Sequence, residues 1–370
     1  MYIEITNTFR FIVLTSQFNI CKIITYLLII SFSLWDQSMN KKGVEKNESI
    51  ITASAFSVSI EKALLHIPDA EVSIKRITNT LNSLPSNKIY ISNSNGVVVF
   101  HAVVNGKQCY ISSKDNKVHS LARRRYLQLL QQILELSNSV KPSDIRRRQS
   151  LLKRLQKTVT LFEQGNLDLS KIVLTGKQYN WFRSDYQKKY IDPASPITTV
   201  LGEPVRSKSE RDITNGFISL AVPYHYEEQN IIYVRPFVDI LKEQLTKKGS
   251  LKGQLFVVRN NTTQWFVPAE LEWLNSRGSI WRTYDPYDGT VELFNDFMIM
   301  LADGTIIIWE HEGLMDDFIY RCNSSERISI MNYTRTVNTG NLIETFEQDI
   351  DTTEKISSII EHRILPRLWF

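Results

Sequence analysis

Apolar positions follow three different spacings along this chain, and each spacing predicts a different kind of element. Between Leu121 and Phe162 the period is helical: Leu121, Leu127, Leu130, Ile133 and Leu134 make one stripe, and Leu151, Leu152, Leu155, Val159 and Phe162 make another. The break from Ser137 to Ser143, with Pro142, predicts an antiparallel helical hairpin. Ahead of it, Lys88 to Ile111 reads as a small antiparallel sheet turning at Asn95-Gly96 and Asn105-Gly106. Further on, Met298 to Leu301 and Thr305 to Trp309 are nearly continuous apolar runs joined at Asp303-Gly304. Such runs predict central strands covered on both faces.

The elements around that strand pair complete an α/β pattern. Pro204 to Tyr226 predicts a helix containing Ile213, Phe217, Ile218 and Leu220, followed by a short strand, and Ser207 with Glu210 forms a capping-box pattern. Asp316 to Val337 reads as a helix, Asn341 to Phe346 as a strand after a Gly340 turn, and Thr352 to Leu365 as a closing amphipathic helix. The order is helix, three strands, helix, strand, helix. Between Glu227 and Leu293 lie more residues than a hairpin needs, and GQLFVV, TQWFV and ELEWL predict an inserted strand-rich segment at about 230–292.

Chemistry enters with the acids at the strand ends. Asp296 enters the first apolar run and Glu310 leaves the second, so a hairpin brings both to one end of a sheet, where a hard divalent cation could bridge them. Alternation puts Ile306, Ile308, Glu310 and Glu312 on one face and Ile307, Trp309 and His311 on the other. Carboxylates ending a buried strand are costly unless paired or metal-bound. Asp239, in YVRPFVDI, imitates the same arrangement, but no tight turn and acid-ended strand follow it, so a supporting role fits it better. His311-Glu312 does not begin a zinc-protease HExxH motif, because Met315 stands where the second His is required.

Charge adds a second candidate surface. The net charge of +5 is modest, but from Lys117 to Lys189 basic residues outnumber acidic ones, with runs at Arg123, Arg124, Arg125 and at Arg146, Arg147, Arg148. Charged runs on helical hairpins are commonly solvated faces; clustering on both arms favours phosphate contact. Trp265, Trp273 and Trp281 with Arg259, Arg277 and Arg282 could stack on nucleic acid, although such aromatics more often fill a small β core. Three widely spaced cysteines, Cys21, Cys109 and Cys322, give neither a disulfide framework nor a metal knuckle, and they favour a reducing compartment. The chain has no phosphate-binding glycine loop, no Gly-x-Ser-x-Gly elbow and no repeat array.

The leader admits two readings. Ile23 to Trp35 is apolar but short for a membrane span, which needs about 20 residues. No small-residue cleavage site follows cleanly, which argues against a secretory signal. Either residues 9–35 are a membrane anchor, or Met39, followed by Lys41 and Lys42, is the start of the protein.

Taken in order, RSKSE, PYHYE, NDFMI, WEHEG and NLIETFE with a final helix resemble the core of the PD-(D/E)XK nuclease-like superfamily. More narrowly, they are similar to a group of uncharacterised bacterial proteins with an RSKSE helix, a PDFTI strand and a WEH strand, in which a small sheet and basic hairpin also precede the core. The resemblance covers Pro204 to Leu365, less the insertion. It implies a restriction-endonuclease-like core with a mixed sheet flanked by helices, phosphodiester hydrolysis of DNA, and Mg²⁺ or Mn²⁺ as cofactor. Asp296 corresponds to the motif Asp, Glu310 to its second acid and Glu210 to the acid of the first core helix, which makes these three the expected metal ligands.

Two positions depart from the motif. Asn295 replaces its Pro, which matters little. Glu312 replaces its Lys, which removes a charge that would stabilise the transition state. Arg206, four residues before Glu210 and on its helical face, is the nearest substitute, while Lys208 falls on another face. The alternative is a catalytically inactive nucleic-acid-binding protein that keeps the nuclease fold; a third reading is a membrane-tethered interaction protein. The resulting organisation is a leader (1–38), a segment with the small sheet (39–116), a basic hairpin (117–192) and the nuclease-like core (204–365). A cytoplasmic protein that acts on DNA, with room for a homodimer, is expected if the leader is absent, and a membrane-associated one if it is retained.

Overall fold

Capping and turn chemistry set most of the element boundaries in the computed structural model, which describes residues 50–370 apart from 68, 105, 193–195, 240–273, 275–276, 278, 286–287 and 335–339. Helices α1 (Ala53–Ala63) and α2 (Ala70–Ser83) start at Thr52 and Asp69, whose side chains accept from the first free backbone amides. Strands β1 (Ile89–Ser94), β2 (Val97–Val104) and β3 (Lys107–Ile111) follow as an antiparallel sheet. Asn95 (φ 52°) and Gly96 (φ 81°) supply the two left-handed residues that a two-residue hairpin turn demands.

The hairpin comes next, as α3 (Asn116–Glu135) and α4 (Pro142–Gln164), with Pro142 in the first turn of α4. Every residue of the first predicted stripe is buried, and so are Leu151, Leu155, Val159 and Phe162 of the second. Two short helices, α5 (Leu169–Val173) and α6 (Gly176–Phe182), lead into the C-terminal part.

There the chain runs α7 (Lys208–Ser219), β4 (His225–Tyr233), β5 (Thr290–Met300), β6 (Ile306–Glu312), α8 (Phe318–Tyr333), β7 (Leu342–Phe346) and α9 (Thr353–Ile359). The strands form a mixed sheet in the order β4-β5-β6-β7, antiparallel except for β6 with β7. The fold is therefore α/β, with a small three-stranded antiparallel sheet and a separate four-stranded mixed sheet flanked by helices.

Each face of the mixed sheet has its own core. Phe297, Ile299, Ile307, Trp309 and Ile343 join the large cluster that continues through α7, α9 and the N-terminal helices. Ile308, Met298 and Leu342 pack instead with Ile330 and Met331 of α8. Phe217 fastens α7 to the sheet, with ring centroids 5.3 Å from Phe297 and 5.5 Å from Trp309 in edge-on geometry. Beside it Gly216 allows close approach of the last helix, since a Cβ there would lie 2.9 Å from Ile356 Cγ2.

The closing helix is longer than its sequence pattern predicts. After α9 a π turn, Ile360–Ile364, leads into α10 (Leu365–Trp369), and the Leu365 amide bonds Ile360 O. Pro366 has no amide to give, and a widened turn just before it is one way a helix continues past a proline. The extension buries Leu365, Leu368, Trp369 and Phe370, and Trp369 Nε1 donates to Ser59 Oγ of α1 at 2.7 Å. Residues Ile50–Phe370 consequently form one compact unit.

Some expectations fall elsewhere. The leader, Met39, Arg259, Trp265, Trp273 and the GQLFVV and TQWFV runs lie outside the described residues. Among the described residues no helix is long and apolar enough to cross a membrane.

Candidate metal centre

Alternation along β4 and β5 breaks at the level of the candidate acids. In β5, Val291 and Leu293 belong to the α8-side core, whereas Phe297, of the same parity, belongs to the opposite one. In β4, Ile232 and Tyr226 divide in the same way. Both strands thus exchange faces at one level, and their register stays intact, with Tyr226 opposite Phe297 and Glu228 opposite Asn295. The residue inside the exchange on β4 is Glu227, whose backbone is left-handed at φ 54°. A non-glycine residue held there costs on the order of 1–3 kcal/mol, and such strain concentrates at functional sites.

The break holds Glu227 and Asp296, while Asn295 keeps the face of Val291 and Leu293 and reaches Met331 and Glu310. Glu227, Asn295 and Asp296 are all buried. Pairing of β5 with β6 stops at Phe297 and Trp309, and the next free amide, that of His311, donates to Asp296 Oδ2 at 2.8 Å. Asp296 takes the place of a ladder acceptor, which fixes its carboxylate at the end of the sheet.

Glu210 reaches the same place from α7. The Ser207–Glu210 capping box forms as the sequence predicts, with Glu210 Oε2 accepting from the Ser207 amide at 3.0 Å and from Tyr226 Oη at 2.7 Å. One carboxylate oxygen from each of Glu210, Glu227 and Asp296 lies within 4.8 Å of the others. The Arg206 guanidinium contacts all three, at 3.1 Å from Glu210 Oε1, 3.4 Å from Asp296 Oδ1, and in closer contact with Glu227 Oε1.

The electrostatics follow from this crowding. Burial pushes the Glu227 carboxyl up to about 7; Arg206 opposes the shift, and Asp296 adds to it. Among the described residues neither Glu227 oxygen receives an aligned hydrogen bond, although the side chain is fully buried. Three carboxylates that each offer one oxygen donor at this spacing could hold a metal ion.

Glu310 and Glu312 make a neighbouring group. They share a face, as strand parity predicts, because Arg327 of α8 reaches both, at 2.6 Å from Glu310 Oε2 and 3.3 Å from Glu312 Oε1. Asn295 Nδ2 donates to Glu310 Oε1 at 2.6 Å, and burial together with the Glu312 charge pushes the Tyr320 phenol up. Burial raises the Glu310 carboxyl to about 8 and raises that of Asp296, and Arg327 holds both back. Glu310 is therefore coupled to Asp296 electrostatically but is not one of the three converging donors.

A cleft of about 590 Å³ opens onto these groups, lined among others by Lys189, Arg206, Asp296, His311, Glu312 and Arg327. The His311 ring turns toward Thr345 and Glu347, at 3.3 Å from each. Lys208 is exposed on the first turn of α7. Asp239 is exposed on a helical turn after β4, not on a strand.

The basic runs divide by environment. Arg123 donates to the carbonyls of Lys171, Ile172 and Leu174, and Arg124 to those of Leu81 and Leu84. Arg148 donates to Ser137 O at 2.9 Å, and Arg125 is half-buried. These contacts tie helix ends together, whereas Arg146 and Arg147 face solvent. Trp281 is buried and, with Arg277, bonds Glu326.

Glu227, Arg327 and Tyr226 carry the geometry without having been singled out by the sequence. Glu227 and Tyr226 lie in the PYHYE segment, but only the face exchange gives Glu227 its direction. Arg327 has a helical signal alone: with Tyr320 and Ser324 it follows the i, i+4, i+7 spacing of one face. Comparison with known protein families, curated proteins and solved structures finds no match.

Proposed function

We propose that this chain is a metal-dependent phosphodiesterase acting on DNA, with a restriction-endonuclease-like core of the PD-(D/E)XK type. The observation that carries the reading is the convergence of Glu210, Glu227 and Asp296 donors within 4.8 Å, at a cleft that Glu210 and Asp296 line together with Lys189, Arg206 and Arg327. The order and pairing of α7, β4 to β6, α8 and β7 support it, since they follow the arrangement that the resemblance implies.

Glu227 and Asp296 would hold the cation, with Glu210 completing the set. A bound cation supplies charge neutralisation at the phosphate and a more acidic water. Asp296 is oriented by the His311 amide, and Glu210 by the α7 cap and Tyr226. Arg327 brings positive charge beside Glu312, where the motif would place a lysine. Arg146 and Arg147, exposed near the start of α4, would offer further positive charge to the DNA backbone.

A second reading, a catalytically inactive nucleic-acid-binding protein, is favoured by one observation: the Arg206 guanidinium already sits among the three acids. A cleavage assay with the full chain separates the two. Nicking of plasmid DNA in Mg²⁺ or Mn²⁺, abolished in Asp296→Asn and Glu227→Gln while DNA binding persists, is the expected result. Binding with no cleavage under either cation supports the second reading, and cleavage unchanged in both variants removes the proposed centre.

A further inference from the structure

We infer that the Arg206 guanidinium is an exchangeable internal counter-ion, which a divalent cation displaces from the Glu210, Glu227 and Asp296 carboxylates and which then binds a phosphate group in the cleft. The inference rests on the proposed metal centre and adds to it a coupling between cation and phosphate.

Three features point to exchange rather than to a permanent ion pair. One guanidinium nitrogen, Nη2, makes all three carboxylate contacts, so it occupies the point on which the donors converge. A cation taking those oxygens must evict it. Among the described residues the fully buried Glu227 has no aligned hydrogen bond to replace that contact, so its carboxylate calls for positive charge with or without a cation.

The third feature is the anchoring of Arg206. Its backbone amide is fixed between Glu210 Oε2 at 2.9 Å and Tyr226 Oη at 3.1 Å, just ahead of the α7 cap. Its side chain is nonetheless 38 % exposed and lines the cleft. Side-chain rotation alone can carry the guanidinium outward while the helix start stays in place. A planar guanidinium released into a cleft is well shaped to grip a phosphate with two parallel hydrogen bonds. Cation entry would then create a phosphate site, and a bound phosphate would keep Arg206 from returning, so each should tighten the other.

The test is Mn²⁺ binding by the full chain, read from the signal of free Mn²⁺ in electron paramagnetic resonance, with and without a short DNA duplex. Arg206→Gln should bind Mn²⁺ about tenfold or more tightly than the unaltered protein, because the competing charge is gone. Duplex should tighten Mn²⁺ binding in the unaltered protein and not in Arg206→Gln. Arg206→Lys, whose shorter side chain stops short of the point that Nη2 occupies, should fall between them; it serves in place of Arg206→Gln should that variant fail to fold. Equal Mn²⁺ affinity in the variant and the unaltered protein, or weaker binding in the variant, overturns the exchange and leaves the metal centre standing. No Mn²⁺ uptake by any of the proteins overturns both.

Discussion

Replacing Arg327 by Met should destabilise the protein by an amount that grows with pH. Arg327 lies 2.6 Å from Glu310 and 3.3 Å from Glu312, and both carboxylates are fully buried. Each contact supplies on the order of 4 kcal/mol of attraction at an effective dielectric near 20, against a desolvation cost of several kcal/mol. Removing one member of such a group costs about 3–5 kcal/mol when the stranded partners are ionised.

At low pH Glu310 need not be ionised. Burial already raises the Glu310 carboxyl, with Arg327 pulling the other way, so loss of Arg327 raises it further. A carboxyl raised in the folded state contributes stability below its unfolded value and loses it as pH climbs through the folded one. Arg327→Met should therefore cost about 1 kcal/mol near pH 5.5, where a protonated Glu310 needs no partner, and about 3–5 kcal/mol near pH 9. Urea unfolding followed by tryptophan fluorescence, in chelator to exclude cations, measures the difference. A loss that is constant across this range, or one that shrinks with rising pH, refutes the argument.

The same linkage predicts that the unaltered protein in chelator loses stability as pH rises through about 7, where the Glu227 carboxyl ionises, and that millimolar Mg²⁺ flattens that decline; thermal unfolding across pH checks both. Ser207→Ala should cost about 1 kcal/mol through loss of the α7 cap and should weaken Mn²⁺ binding by loosening Glu210, which calorimetry would register. Arg146→Glu with Arg147→Glu should flatten the salt dependence of DNA binding and leave the unfolding midpoint unchanged. Arg123→Glu should lower that midpoint, because its contacts are internal carbonyls.

What could be read in advance depended on local rules. The Ser207–Glu210 box, the Asn95-Gly96 turn and the common face of Glu310 and Glu312 each follow from a few neighbouring residues, and each is present. So is the element order from α7 to α9, because apolar runs and turn residues mark it plainly. The third member of the carboxylate set was not legible. Unbroken alternation gives Glu227 no special direction, whereas paired face changes at Glu227 and at Asn295 to Asp296 turn it inward without disturbing the register.

Charge was harder still to read. Arg123 and Arg124 resemble Arg146 and Arg147 in sequence, yet the former are committed to carbonyls of other segments, 40 to 51 residues away. Arg327 meets Glu310 only because the α8 crossover lies over that end of the sheet. Nothing local distinguishes an arginine that faces water from one that finds a carboxylate through tertiary packing.

Anomalous scattering from Mn²⁺-soaked crystals of the full chain addresses the central claim most directly. The account predicts a single strong peak within bonding distance of the Glu227 and Asp296 carboxylates, with the Arg206 guanidinium moved away from them. A peak bound instead by Glu310 and Glu312, or no peak at this end of the sheet while Arg206 keeps its three contacts, would contradict it.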